Sequence, residues 1–290
     1  MGATMDAMLN EFTVGSRTTE REMGIMVPLS MSAEGVGAAT YLFAFLAGSR
    51  VGGGVGLVLV LIGAAALFAH LGHPLRFWRV ITEAGRAWMS RGALFTAGLV
   101  IFGIPALLAR GEGLDVLILQ ALALICTFVV VLYTGILFSS INAVPLWNTS
   151  LLPILFLLHS LTSAGLLMTT LLSLAGGGVV AHPRQCSAVL ALLSSTLGLT
   201  WMLTGSASRS EAAQESVQML TAGRLKPFFQ GGALLAGLGF PLLLVMLAYL
   251  FRSSGLVSGL LLVTAVPLRL AGDLSVRYAL LRAGVYNPVI

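Results

Sequence analysis

The stretch LDVLILQALALICTFVVVLYTGILFSSI, residues 114–141, decides the fold. Its one charged side chain is Asp115, near its start. An α-helix needs about 20 apolar residues to cross a hydrocarbon layer of about 30 Å, and this run supplies them. Working outward, comparable runs occupy residues 24–47, 51–72, 92–109, 151–175, 185–205, 230–251 and 254–272. Backbone polar groups in lipid are satisfied only in helices or closed barrels. Barrel strands alternate apolar and polar residues, and these runs do not. The expected fold is therefore all-α and membrane-integral, a bundle of about eight transmembrane helices.

Composition agrees. Of 290 residues, 57% are hydrophobic and only 9% are charged, with a mean hydropathy of +0.97. A soluble domain carries roughly 25% charged residues, so the lipid bilayer is this chain's solvent. The division expected is a polar N-terminal segment over 1–23 and one transmembrane helical domain over 24–290. Residues 1–22 mix acidic and basic side chains and lack the apolar core of a cleavable signal. The formal charge of +5 resides in short loops between apolar runs, so membrane topology explains it and nucleic acid is not an expected partner.

Eight spans put both termini on one side. Of the 16 basic residues, 12 fall on that side when Arg269, Arg277 and Arg282, at or after the end of the last span, are counted with it. Arg50, Arg110, Arg184 and Arg252 fall on the other. This bias points the termini to the cytoplasm. Glycines and alanines within the runs, among them Gly35, Gly37, Gly56 and Gly237, read as close helix contacts.

Polar groups inside a bilayer are costly and ask for a reason. Glu34 lies in the first span, flanked by Ser30 and Ser32. It reads either as a proton carrier and hydrogen-bond partner for a quinone head group, or as a carboxyl bonded to a neighbouring helix. His70 and His73 share a helix face at the end of the second span. An imidazole there suits proton exchange at the membrane surface, or a bond to a loop carbonyl. His159, in the fifth span, is a core histidine, a proton-path group or, paired with His70, an axial haem ligand. Tyr133 reads as a donor to a quinone carbonyl or as a belt tyrosine. Arg76, Phe77, Trp78 and Arg79 suit a protein interface or a lipid boundary. The two cysteines, Cys126 and Cys186, do not make a cluster ligand set, and no metal site is expected. No P-loop, G-x-S-x-G, H-E-x-x-H or C-x-x-C motif is present.

Three stretches together resemble one family. His70-Leu71-Gly72-His73-Pro74-Leu75-Arg76-Phe77-Trp78 is similar to the signature that follows the second span in polysulfide-reductase-type membrane subunits. Tyr133-Thr134-Gly135 with Pro145-Leu146-Trp147-Asn148 resembles the segment after their fourth span. Arg277-Tyr278 through Ala283-Gly284-Val285-Tyr286 resembles their C-terminal end. Ala87-Trp88-Met89-Ser90-Arg91 is closer to the anchor subunits of dimethyl sulfoxide reductase.

The resemblance implies a multi-pass subunit of the bacterial inner membrane with no haem and no iron–sulfur cluster of its own. It implies exchangeable menaquinone or ubiquinone near the membrane surface. The implied partners are a ferredoxin-like iron–sulfur subunit and, through it, a molybdopterin catalytic subunit. Glu34, His70 and Tyr133 are the expected reacting residues, with Ser30 and Asn142 beside them in the pocket. His73, Pro74, Arg76, Phe77, Trp78 and Arg79 are the expected docking residues. Relatives can carry a quinone-contacting histidine in the first span. This chain has Leu29, Ser30 and Ser32 there, and Glu34 is the expected substitute. The resemblance places the termini in the periplasm, against the charge count. A proton-translocating or transporter module without quinone chemistry is the other functional class open to the sequence.

Overall fold

The computed structural model describes residues 18–19, 23–70, 82, 85, 87–109, 113–176, 182–206 and 210–286. Eight helices among these are long and apolar enough to cross a membrane. We label them α1 (Met26–Leu46), α2 (Arg50–His70), α3 (Trp88–Leu108), α4 (Leu114–Ser139), α5 (Leu151–Ala175), α6 (Pro183–Ser206), α8 (Pro227–Leu250) and α9 (Gly255–Arg282), with α7 (Glu211–Thr221) a short helix before α8. Strictly, α8 is α-helical only over Phe240–Leu250, because Pro227–Gly239 winds as a π-helix. The Phe240 amide still bonds the Leu235 carbonyl, five residues back.

The spans agree with the apolar runs to within a few residues, except at the end. The last run stops at residue 272, yet α9 continues to Arg282. The charges that interrupt the run are buried: Arg269, Asp273 and Arg277 are each 0% exposed. They stand at i, i+4 spacing on one face of α9 and point into protein rather than lipid. Arg269 and Arg277 are therefore not loop charges, contrary to the expectation from the apolar runs. Neither reports on orientation.

The spans α1 and α5 are the most enclosed. Residues of α1 to α4 form one apolar core around Ala38, Leu57, Leu99 and Val130. Residues of α5, α6, α8 and α9 form another around Leu166, Leu193, Val245 and Leu262. A third lies toward the termini, where Trp147, Phe156, Phe229 and Leu280 meet. Here the last two resembling segments come together. The Trp147 indole Nε1 donates to the Leu280 carbonyl at 2.8 Å, and its ring stands edge-on to Phe138. Thr19 closes the same end. Its amide donates to the Gly284 carbonyl at 2.9 Å, and its hydroxyl to the Leu281 carbonyl at 2.7 Å.

Glycine sets the closest crossings. A Cβ on Gly37 would lie 2.7 Å from the Gly56 carbonyl oxygen. One on Gly272 would lie 2.0 Å from the Gly237 Cα. Not every glycine acts this way: nothing lies within 4 Å of a Cβ on Gly231 or Gly259.

These contacts predict that Gly272→Ala lowers the thermal midpoint in detergent by an amount equivalent to about 1–3 kcal/mol of overpacking. Gly259→Ala, in the same helix, leaves it unchanged or raises it. Equal effects of the two substitutions would contradict the assigned crossing of α8 and α9.

Candidate functional site

Glu34 lies eight residues into α1, about 12 Å from its first turn at 1.5 Å per residue. Thr96 is eight residues into α3, and Tyr133 is six residues from the end of α4. The helices alternate in direction, so the three side chains fall at one level, nearer the termini. The Tyr133 hydroxyl donates to Glu34 Oε2 at 2.6 Å. The Thr96 hydroxyl approaches the same oxygen at 3.4 Å. All three residues are buried, Glu34 with 1% of its surface exposed.

Missing side chains make this meeting possible. A Cβ on Gly63 of α2 would press on Glu34 Cγ at 2.6 Å. One on Gly92 of α3 would sit 2.2 Å from the Tyr133 ring. Two glycines thus clear the space in which a carboxyl and a phenol from α1 and α4 touch.

Glu34 also faces a cavity of about 290 Å³ between α2 and α3, lined by Leu61, Ala64, Leu67, Phe68, Ala93, Thr96, Ala97, Val100 and Ile101. Leu61, Phe68 and Ile101 present much of their surface to the surroundings, so the cavity communicates with the lipid phase. Glu34 and Thr96 are the polar lining residues in otherwise hydrocarbon walls. A ligand fitting there has an apolar body and one or two polar atoms that reach a carboxyl.

A second polar cluster occupies the opposite face of α1. Ser32 precedes Glu34 by two residues, so it points roughly 200° away at 100° per residue. Its hydroxyl donates to Asp273 Oδ2 in a very short bond. Arg277 Nε donates to the same oxygen at 3.0 Å. Arg277 Nη2 donates to Ser160 Oγ at 2.7 Å and to the Phe156 carbonyl at 3.3 Å. Asp273 Oδ1 lies 3.9 Å from both Arg269 Nη2 and His159 Nδ1.

Arg269 donates through Nη2 to the His159 carbonyl at 3.0 Å and through Nη1 to the Gly237 carbonyl at 3.4 Å. Its Nη2 is also 2.9 Å from His159 Nδ1. A guanidinium only donates, so Nδ1 accepts. His159 Nε2 then carries the proton and donates to Thr200 Oγ1 at 3.1 Å. The hydroxyls of Thr200, Thr196 and Thr162 each donate to a carbonyl of their own helix. This cluster ties α1, α5, α6, α8 and α9 together.

Of the residues expected at the site, the structure brings Glu34 and Tyr133 into direct contact. Ser30 is buried one turn before Glu34, but its hydroxyl donates to the Val27 carbonyl at 2.9 Å and it does not line the cavity. Asn142 is exposed in the loop after α4, where its Oδ1 accepts from Asn148 Nδ2 at 2.5 Å. His70 closes α2, and its side chain lies outside the described residues. So do His73, Pro74, Arg76, Phe77, Trp78 and Arg79. His159 is a core histidine bonded at both ring nitrogens.

Thr96, Arg269, Asp273 and Arg277 were missed as site or cluster residues. Thr96 carries no signal in the sequence. The other three do: alternating signs at i, i+4 in an otherwise apolar helix mark an internal ion pair rather than a loop.

A family model described as polysulphide reductase, NrfD, matches residues 35–288. No curated protein matches the chain.

The ion-pair geometry predicts that Asp273→Leu, which strands two buried guanidinium groups, costs about 3–5 kcal/mol of stability. Ser32→Ala, which removes one hydrogen bond, costs about 1 kcal/mol. Adding Arg277→Met to Asp273→Leu recovers part of the loss. Thermal unfolding in detergent checks this, and strictly additive losses would contradict the pairing.

Proposed function

Since the chain belongs to the polysulphide reductase NrfD family, whose members are membrane subunits of respiratory oxidoreductases, we propose that it binds quinol or quinone in the cavity between α2 and α3 and exchanges electrons with an iron–sulfur partner. The observation that carries this reading is the carboxyl of Glu34 at an otherwise apolar cavity leading to lipid. A quinone has the matching character: an isoprenoid tail at home in lipid and a head with two polar oxygens. The quinol supplies two electrons and two protons when bound.

This chain's residues would handle the protons. The Glu34 carboxyl is the group placed to accept one from a ring hydroxyl or return one to a carbonyl. Tyr133 holds Glu34 Oε2 by its 2.6 Å bond, which fixes the carboxyl at the edge of a cavity that Tyr133 itself does not line. Tyr133 is therefore a positioning residue, one atom removed from the role expected of it. Thr96 lines the cavity and offers a hydroxyl beside the same carboxyl oxygen. His70, at the end of α2 on the termini side, is our candidate for passing protons to water.

The electrons are exchanged with a ferredoxin-like iron–sulfur subunit, which exchanges them in turn with a molybdopterin subunit. The segment His73 to Arg79, directly after α2, is the proposed docking surface. It follows α2 directly in the chain, and α2 ends on the side of the bundle nearer Glu34. The proposed home of the complex is the bacterial inner membrane.

The test uses the intact complex with a soluble quinol analogue. Glu34→Gln lowers quinol turnover by about 100-fold or more, as expected for loss of a general base. Tyr133→Phe lowers it by about 5- to 10-fold, the worth of one positioning hydrogen bond. Thr40→Val, buried in α1 and among the described residues bonded only to the Val36 carbonyl, leaves it unchanged. Full turnover in both Glu34→Gln and Tyr133→Phe would refute the site.

A further inference from the structure

The end of the bundle remote from the termini has a cavity of a different kind. It measures about 300 Å³ and lies where the α1–α2 turn meets the end of α3 and the start of α4. Its lining includes Tyr41, Ser49, Arg50, Ala109, Val116 and Gln120. Where the Glu34 cavity has hydrocarbon walls, this one brings a guanidinium, an amide, a hydroxyl and a phenol to one space.

Two of these groups are committed elsewhere. Ser49 Oγ accepts from the Gly52 amide at 3.2 Å and caps α2. The Tyr41 hydroxyl donates to the Gly103 carbonyl at 3.4 Å. Arg50 and Gln120 are not so committed. Arg50 is exposed, and Nη2 donates to the Ala109 carbonyl at 3.2 Å. That bond spans from α2 to the end of α3 and fixes the guanidinium at the cavity, leaving four of its five N–H groups. Gln120 lies six residues into α4, about 9 Å along the helix from Leu114. Its side chain makes no hydrogen bond among the described residues, although a primary amide at that depth is costly without one. Asp115, exposed in the first turn of α4, does not line the cavity.

The surroundings specify the remaining chemistry. Leu46, Leu108, Leu114 and Leu117 beside the cavity are each at least 60% exposed, as lipid-facing residues are. A ligand here meets a cation at the membrane surface, an amide donor just beneath it and an apolar flank. We infer that this cavity binds the phosphodiester head group of an anionic phospholipid, with Arg50 on a phosphate oxygen, Gln120 on the glycerol or ester oxygens, and the acyl chains along α1 and α4. Guanidinium suits the phosphate oxygens because its planar N–H fork matches them in pairs. Basic pockets between transmembrane helices bind anionic head groups on the same principle.

The experiment is thermal unfolding of the delipidated protein in neutral detergent, with dioleoyl phosphatidylglycerol, dioleoyl phosphatidylcholine or inorganic phosphate added. Phosphatidylglycerol should raise the midpoint by about 4 °C or more above phosphatidylcholine. Arg50→Gln and Gln120→Leu should each cut that difference at least in half. Arg184→Gln, a cation on the same membrane face but away from the cavity, should leave it intact. Both site variants change exposed or part-exposed side chains, so their lipid-free midpoints report whether they fold. Equal stabilisation by the two lipids would overturn the proposal, as would its persistence in both site variants. A shift with inorganic phosphate as large as with phosphatidylglycerol would assign the cavity to a free anion and overturn the lipid.

Discussion

The ion pair between Asp273 and Arg277, at 3.0 Å and without solvent exposure, is the constraint on which the bundle depends. In lipid there is no hydrophobic force to press helices together, so packing and polar contacts decide their arrangement. A buried charge is tolerable only when its partners are in place. Asp273 needs Ser32 from α1 as well as Arg277, and Arg277 needs Ser160 and the Phe156 carbonyl from α5. Arg269 extends the demand to His159 and to the Gly237 carbonyl of α8. One short stripe of charge on α9 therefore specifies neighbours on three other helices, and through His159 and Thr200 on a fourth.

The proposed site inherits its order from that cluster. Ser32 faces α9, so Glu34, two residues on, is turned toward α2, α3 and α4. The rotation of α1 that satisfies Asp273 is the one that delivers the carboxyl to Tyr133 and the cavity. Glycine completes the arrangement at no polar cost. Gly35 leaves room for Ser160 and Arg277 on one side, while Gly63 and Gly92 leave room for Glu34 and Tyr133 on the other. The two polar groups thus sit at one level of the bundle, with α1 as the wall between them.

The two ends of the molecule divide the chemistry. Toward the termini, Trp147, Thr19 and the last turn of α9 lock into one cap, and the proposed redox site lies about two helical turns in from that end. At the remote end the helices part around Arg50 and Gln120, where the amide has no hydrogen bond among the described residues and the guanidinium makes one, to the Ala109 carbonyl. The first arrangement suits a rigid platform for another subunit. The second suits contact with the bilayer itself.

Length and apolarity fixed the eight spans, because any chain with so few charges and so many 20-residue apolar runs has to satisfy its backbone inside lipid. The sequence also showed Glu34 and Tyr133 as polar groups in need of a reason, and the motif that holds Tyr133 was one of those that carried the family resemblance. It did not show that the two touch, since α1 and α4 are separated in the chain by α2 and α3 and the contact spans 99 residues. Nor did it show that α9 runs ten residues past residue 272. Arg269, Asp273 and Arg277 look like the end of a span when only hydropathy is summed, because a one-dimensional sum cannot register charges that cancel one another across a helix face. Ser30 stood beside Glu34 in sequence yet turned to its own backbone, and Thr96, with no mark in sequence, reached the carboxyl. Which polar side chain met which was decided by helix rotation and glycine crossings, and these exist only once the helices have packed.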